Sequence, residues 1–370
     1  PWNYLDVHPR QSSITLCKIS GFFAVFNYLT NELTQSMQLD IKEDISAIKI
    51  STLGYLLAVG TKKGHIWLLD SKTLTPVRSE PMAYSKGAIK QIVFDSSDSY
   101  MATSDLDRCV SVYSCSDGEW EILGRYRCHT KQISQILFGT NPETNSCILF
   151  SIGKDMKLSE IDVAASSFTE GLKLTGRTSV EQLYIPTCLT MLPQDSEEQF
   201  LVVANDGHKL RLINTATKMC RKVIMAPNID DTVDNIFEIS SQSVGQSVAY
   251  NRYFVLHCGR YIALSKIPLK GYPASYMNIL AAAGQVDRMV VTSDGFYCFT
   301  LVKDEPVTQY SIDVNIMEDY DVPAEEALKN LIEDNSKLYE DLKDFFAYVQ
   351  IGNVHIYQSQ SLNLVLHCDG

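Results

Sequence analysis

The sequence predicts an all-β fold, a seven-bladed β-propeller with a C-terminal α-helical tail, and three observations carry that expectation. A short strand of alternating apolar residues recurs around Leu5, Ile48, Ile92, Ile136, Leu189, Ile236 and Met289, at intervals of 43 to 53 residues. Inside each period further strand-length apolar runs follow, separated by turn residues. From Ile316 the period of two stops, and acids and helix formers take over.

The second and third periods show the unit most clearly. Ile45 to Ile50, Tyr55 to Gly60 and His65 to Asp70 make one set; Ile89 to Phe94, Tyr100 to Ser104, Cys109 to Tyr113 and Trp120 to Leu123 make the next. Turn chemistry divides them, as in Asp95-Ser96-Ser97-Asp98 and Ser116-Asp117-Gly118. A repeat of ~40–45 residues with four strands is that of a WD40 blade. The Gly-His and Trp-Asp signature survives only as Gly64-His65 and as Leu69-Asp70, Ile161-Asp162 and Ile213-Asn214 at the ends of third strands. The last period, Val286 to Val291, Phe296 to Leu301 and Val307 to Ile312, shows no fourth strand. Because propellers leave only short, protected edges, its missing outer strand is expected from sequence upstream of Pro1, the chain reading as a fragment.

Three segments result: a propeller over residues 1–315, an acidic amphipathic helix over 316–350 and an extended arm over 351–370. Pro323 suits a first helical turn, and Leu338, Leu342, Phe345, Phe346 and Val349 fall on one helical face. That face either docks on the propeller or is offered to another protein.

Bulk composition narrows the function classes. With 45% hydrophobic and 21% charged residues, the 370-residue chain has the composition of a folded globular protein. A net charge of −12 argues against nucleic acid and anionic membrane as partners. Ten cysteines without a C-x-x-C, several in apolar runs such as Cys109, Cys147, Cys188 and Cys298, read as buried free thiols. No sequon, signal peptide or apolar run of membrane-spanning length is present, so a reducing, intracellular compartment is expected.

Catalytic constellations are missing, and neither catalytic nor metal-binding residues nor a cofactor are expected. Gly171 to Thr178 has P-loop glycine spacing but Arg177 where the lysine belongs, and reads as a blade-connecting loop. Asp105-Leu106-Asp107 lacks the glycine of a calcium loop and reads as a turn. The seven histidines have no ligand spacing; His8, His65, His129, His208 and His257 read as turn or packing residues. A basic cluster, Lys209, Arg211, Lys218, Arg221 and Lys222, reads either as a solvated edge or as a docking patch for an acidic partner.

Besides the opening Pro1-Trp2-Asn3-Tyr4-Leu5-Asp6-Val7-His8-Pro9, three stretches are unusual for generic blades: Pro186-Thr187-Cys188, Val203-Ala204-Asn205-Asp206 and above all Thr217-Lys218-Met219-Cys220-Arg221-Lys222. With the tail run Leu338 to Ile351 they resemble the ciliary and flagellar WD-repeat subunit of the calmodulin- and spoke-associated complex, in its second propeller and the helix that follows. The resemblance implies a non-enzymatic scaffold of the motile-cilium axoneme, in the cytoplasm and cytoskeleton, anchoring a radial spoke base and helping regulate motility. The implied partners are spoke-base proteins, the calmodulin-associated complex and the doublet microtubule, directly or through adaptors. Lys218, Arg221, Lys222, Leu338, Leu342, Phe345 and Phe346 are the expected partner-binding residues. The family's calcium-binding helix pair is not recognisable in residues 352–370. The blades alone would equally support a generic cytosolic WD40 adaptor in trafficking or ubiquitin ligation, and a propeller enzyme would need carboxylates or histidines converging on the central channel.

Overall fold

Each apolar period folds into one small antiparallel sheet, and the computed structural model sets seven of these in a ring. It describes residues 1–192, 198–226, 231–239, 253–266, 275–313, 354–357 and 365–368. The expected tail helix, with Leu338, Leu342, Phe345 and Phe346, lies outside the described residues.

Blade one is complete within its own sequence: β1 (Tyr4–Val7), β2 (Ser13–Cys17), β3 (Phe22–Asn27) and β4 (Glu32–Gln38) pair in that order. Blade two has β5 (Ile45–Ile50), β6 (Leu56–Thr61) and β7 (Ile66–Asp70), its fourth strand reduced to bridges from Ile66 to Met82 and from Leu69 to Pro76. Blade three follows with β8 (Ile89–Phe94), β9 (Tyr100–Asp105), β10 (Val110–Ser116) and β11 (Glu119–Tyr126). Blade four comprises β12 (Ile133–Thr140), β13 (Cys147–Gly153), β14 (Lys157–Ser167) and β15 (Gly171–Ser179), and blade five β16 (Pro186–Met191), β17 (Phe200–Asn205), β18 (Lys209–Asn214) and β19 (Cys220–Met225). Blade six has β20 (Asn235–Ile239), β21 (Tyr253–Cys258), β22 (Tyr261–Lys266) and β23 (Ser275–Ala281). Blade seven has β24 (Val286–Val291), β25 (Tyr297–Val302) and β26 (Thr308–Ser311), with no fourth strand among the described residues. Beyond it, β27 (Val354–Tyr357) and β28 (Val365–Cys368) form a two-stranded sheet.

One reading is corrected. The P-loop-like stretch Gly171 to Thr178 is not a connecting loop but β15, the outer strand of blade four, paired along β14. Its residues alternate between half-buried and exposed, the pattern of a strand with one covered face.

The core is divided into seven clusters, one at each junction between successive blades. Phe23, Ile45 and Leu57 join blade one to two; Ile66, Ile89 and Met101 join two to three. Val112 and Leu149 join three to four, and Phe150 and Val203 join four to five. Leu212 and Phe254 join five to six, and Val255 and Met289 join six to seven. The seventh cluster closes the circle, packing Phe299 and Leu301 of blade seven against Leu5, Ile14 and Tyr28 of blade one. Strands buried on both faces explain why the middle strands read as nearly continuous apolar runs, such as Tyr253–Cys258.

Inner strands have one edge facing the next blade, and polar side chains satisfy it. Asp6 accepts from the Ile50 amide at 2.7 Å and from Lys49 Nζ at 3.1 Å. Gln91 accepts from the Ile136 amide at 3.0 Å and donates to Ser134 O at 3.2 Å. Gln135 accepts from the Leu189 amide at 2.7 Å, and Thr187 donates to Val233 O at 2.5 Å. Polar side chains placed in the apolar alternation thus tie blade one to two, three to four, four to five and five to six.

Candidate interaction surface

Turns between strands supply the polar chemistry of the ring's faces. At the ends of third strands, where Trp-Asp stands in a regular repeat, Asp70 accepts from the Lys72 and Thr73 amides, and Asn214 accepts from those of Ala216 and Thr217. The Thr73 amide is the main reason the Asp70 carboxyl sits below its ordinary value. Gly64 has φ +88°, and a Cβ there would lie 2.5 Å from Ser85 O, so the Gly-His echo marks a position only glycine fits.

His8, His129 and His257 are buried, and His65 is half-buried beside Glu43. His129, buried, binds Asp155 through Nδ1 at 2.8 Å and Ser151 Oγ through Nε2 at 2.9 Å, and Arg177 binds the same aspartate at 3.0 Å. Burial works against ionisation of Asp155, yet the Thr130 amide and His129 outweigh it and hold the carboxyl low. Asp105 ends β9 and the turn follows at Leu106 and Asp107; its carboxylate accepts from the Cys109 amide and binds Arg125 at 2.8 Å. Cys109, Cys188 and Cys298 are buried free thiols, Cys147 half-buried, and Cys220 is exposed. Burial pushes Cys147, Cys258 and Cys298 up to about 12, far from nucleophilic at neutral pH. Among the described residues no group of His, Cys, Asp and Glu could hold a metal ion, and no helix is long and apolar enough to cross a membrane.

The basic cluster falls on blade five and is divided among several partners. Lys218, in the turn after β18 with φ 60°, reaches Glu160 of blade four at 2.7 Å and also donates to Thr215 O. This ion pair borders a cavity of about 220 Å³ between blades four and five, which Glu143, Asp162 and Thr175 also line. Arg211 Nε donates to Glu181 at 2.5 Å; Lys209 sits 4.8 Å from the Tyr184 ring centroid. Arg221 pairs with Glu198 at 2.8 Å with both side chains about half exposed, and Lys222 is half-buried on the same strand. Lys218 therefore faces a blade junction, whereas Arg221 and Lys222 lie on the outer strand.

Sequence reasoning passed over the apolar half of this surface. Leu183, Met219, Val223 and Met225 are all exposed there, Leu183 by 81%. Alternation in Val223-Ile224-Met225 hid them, because periodicity marks which residues share a face but not whether anything covers it.

No family model matches the chain. The cilia- and flagella-associated protein 251 of Pongo abelii is 29% identical over 357 residues, 94% of this chain and 31% of that protein. The protein of the same name from Mus musculus is 28% identical over 357 residues, 94% and 27% of the two chains. That of Tetrahymena thermophila is 25% identical over 389 residues, 94% and 39%. The chain spans about a third of the length of these relatives. Among solved structures, a chain in the crystal structure of the mitotic checkpoint complex matches with a TM-score of 0.63 at 13% identity, over 81% of this chain and 84% of that one, a likeness of fold alone.

Proposed function

We propose that this chain, whose homologues across species are named cilia- and flagella-associated protein 251, is a non-enzymatic scaffold of the motile-cilium axoneme. The alignment over 94% of the chain carries the reading, and those names support a cilium-related role. A closed ring of blades with Cys17, Cys109, Cys128, Cys188, Cys258 and Cys298 buried supports a structural task. The finer assignment rests on the resemblance in Thr217 to Lys222 and in the tail. It has the propeller anchor a radial spoke base to the doublet microtubule, beside spoke-base proteins and the calmodulin-associated complex, and help regulate motility. Lys218, Arg221 and Lys222 on blade five, with Leu338, Leu342, Phe345 and Phe346 in the tail, are the proposed contacts.

The test is fractionation of a tagged full-length protein expressed in ciliated cells that lack their own copy. It is expected in salt-washed axonemes, co-purifying with spoke-base proteins, and Leu342→Asp with Phe345→Asp should release it. A protein found diffusely in the cytosol and absent from axonemes would reject the scaffold reading and favour a generic cytosolic adaptor.

A further inference from the structure

We propose that Thr75, in the irregular outer segment of blade two, is a phosphorylation site for a proline-directed kinase that favours a basic residue three places on. The inference goes beyond the scaffold reading and does not depend on it. Of the 12 prolines in the chain, only Pro76 follows a serine or threonine, and Arg78 stands at the third position after Thr75. A kinase must draw the residues around the hydroxyl into an extended run in its cleft, and a segment with few backbone bonds opens at least cost. Blades one and three to six each end in a complete fourth strand. In blade two that strand is replaced by two bridges, Leu69 to Pro76 and Ile66 to Met82, and residues 77–80 bend between them. Thr75, Pro76 and Val77 are exposed, whereas Leu74 and Met82 are buried and pin the two ends of the loop to the core. Lifting residues 75–78 gives up two backbone bonds, Asp70 N–H to Thr75 O and Val77 N–H to Leu68 O, both 2.8 Å, and the bond from Arg78 to Trp120 O at 2.7 Å. The loop can therefore enter a kinase cleft without unseating a blade.

The kinase brings ATP and the catalytic base. Thr75 Oγ1 attacks the γ-phosphorus, the bond from that phosphorus to the bridging oxygen of ADP breaks, and the hydroxyl proton passes to a carboxylate of the kinase. The product carries a charge of about −2 in a turn already built round an anion. Thr75 Oγ1 lies 2.7 Å from Thr73 Oγ1, which donates to Asp70 Oδ1 at 3.1 Å. Because the Thr73 hydrogen goes to Asp70, Thr75 is the donor in the first of these bonds, and phosphorylation removes its hydrogen. Asp70 also accepts from the Lys72 and Thr73 amides, so the carboxylate is fixed beside the incoming phosphate. Like charges at this spacing repel, and the modified loop opens along the outward edge of β7. Blade two thus carries a segment whose attachment a kinase can weaken while its neighbours keep their fourth strands.

The test incubates the 370-residue chain with ATP and a purified kinase of the cyclin-dependent class, and reads incorporation by intact mass and peptide mapping. One phosphate, on Thr75, is expected. Thr75→Val should abolish it. Arg78→Ala should slow it roughly tenfold and Arg78→Lys should restore most of the rate, which separates recognition of the base from loss of the bond to Trp120 O. No incorporation in the wild-type chain, or undiminished incorporation in Thr75→Val, would overturn the site. In the phosphorylated chain, hydrogen exchange across residues 71–82 should rise about tenfold while blades four and five stay unchanged. Equal exchange before and after phosphorylation would overturn the opening of the loop. The tagged full-length protein, recovered from ciliated cells under phosphatase inhibition, should yield the same modified peptide; a wholly unmodified Thr75 there would reject the site in the cell, whatever the outcome of axonemal fractionation.

Discussion

Buried beside blade two, His8 is held in one tautomer by three backbone groups. Its Nε2 donates to Gly54 O at 2.9 Å, while Nδ1 accepts from the amides of Arg10 and Gln11 at 3.1 and 3.0 Å. A second ring proton would remove the acceptor, and burial is the largest cause that holds this imidazole below its ordinary value. A histidine with a depressed folded-state pKa contributes stability that is present above about pH 6.5, its unfolded value, and lost as pH falls through the folded one. Denaturant midpoints are thus expected to drop on going from neutral pH toward about pH 5, and His8→Gln should flatten that drop. An unchanged slope would show that His8 does not titrate with unfolding. At the exposed turn after β7, Asp70→Ala should cost about 0.5–1.5 kcal/mol in urea unfolding, since it removes the acceptor for two amides.

Among elements, inner strands are held by side chains from the neighbouring blade as well as by their own pairing. Gln135 on β12, half-buried, is the partner of the amide of the buried Leu189 on β16. Gln135→Ala should leave that amide unsatisfied and cost about 1–3 kcal/mol, measured by chemical unfolding; Gln135→Glu, which keeps an acceptor, should cost less. Packing between elements is equally tight at Gly60 of β6, where an added Cβ would lie 2.7 Å from Ile89 Cβ of blade three. Gly60→Ala is expected to push blades two and three apart and destabilise by about 1–3 kcal/mol.

For the whole molecule, the decisive contact is the one between sequence ends. Phe299, 3% exposed, lies 5.2 Å from the Tyr28 ring, and Ser293 Oγ donates to Pro9 O at 2.5 Å. Phe299→Ala should cost about 3–5 kcal/mol, and because the ring is shared, hydrogen exchange should rise in blade one as well as blade seven. Faster exchange confined to residues 286–313 would mean that the blades open independently.

How much could be read beforehand follows from these contacts. The seven inner strands were legible because apolar residues recur in them at a fixed period, alternating with less buried ones; the observed β5, β8 and β24 agree with their expected bounds. Blade two's fourth strand was not, since Leu74 to Met82 carries two prolines and forms only two bridges. Nor was β15, whose glycines mimic a phosphate loop until β14 is placed beside it. For the interaction surface, the sequence showed that Lys218, Arg221 and Lys222 are close together along the chain. Only the tertiary structure turned Lys218 toward Glu160 and set Arg221 on the outer strand beside Val223 and Met225. Blade number and strand order were set by the sequence itself, because periodicity is a local property that folding preserves. Closure of the ring and the exposure of individual side chains were decided by tertiary packing, because each depends on which distant surface comes to cover a given strand.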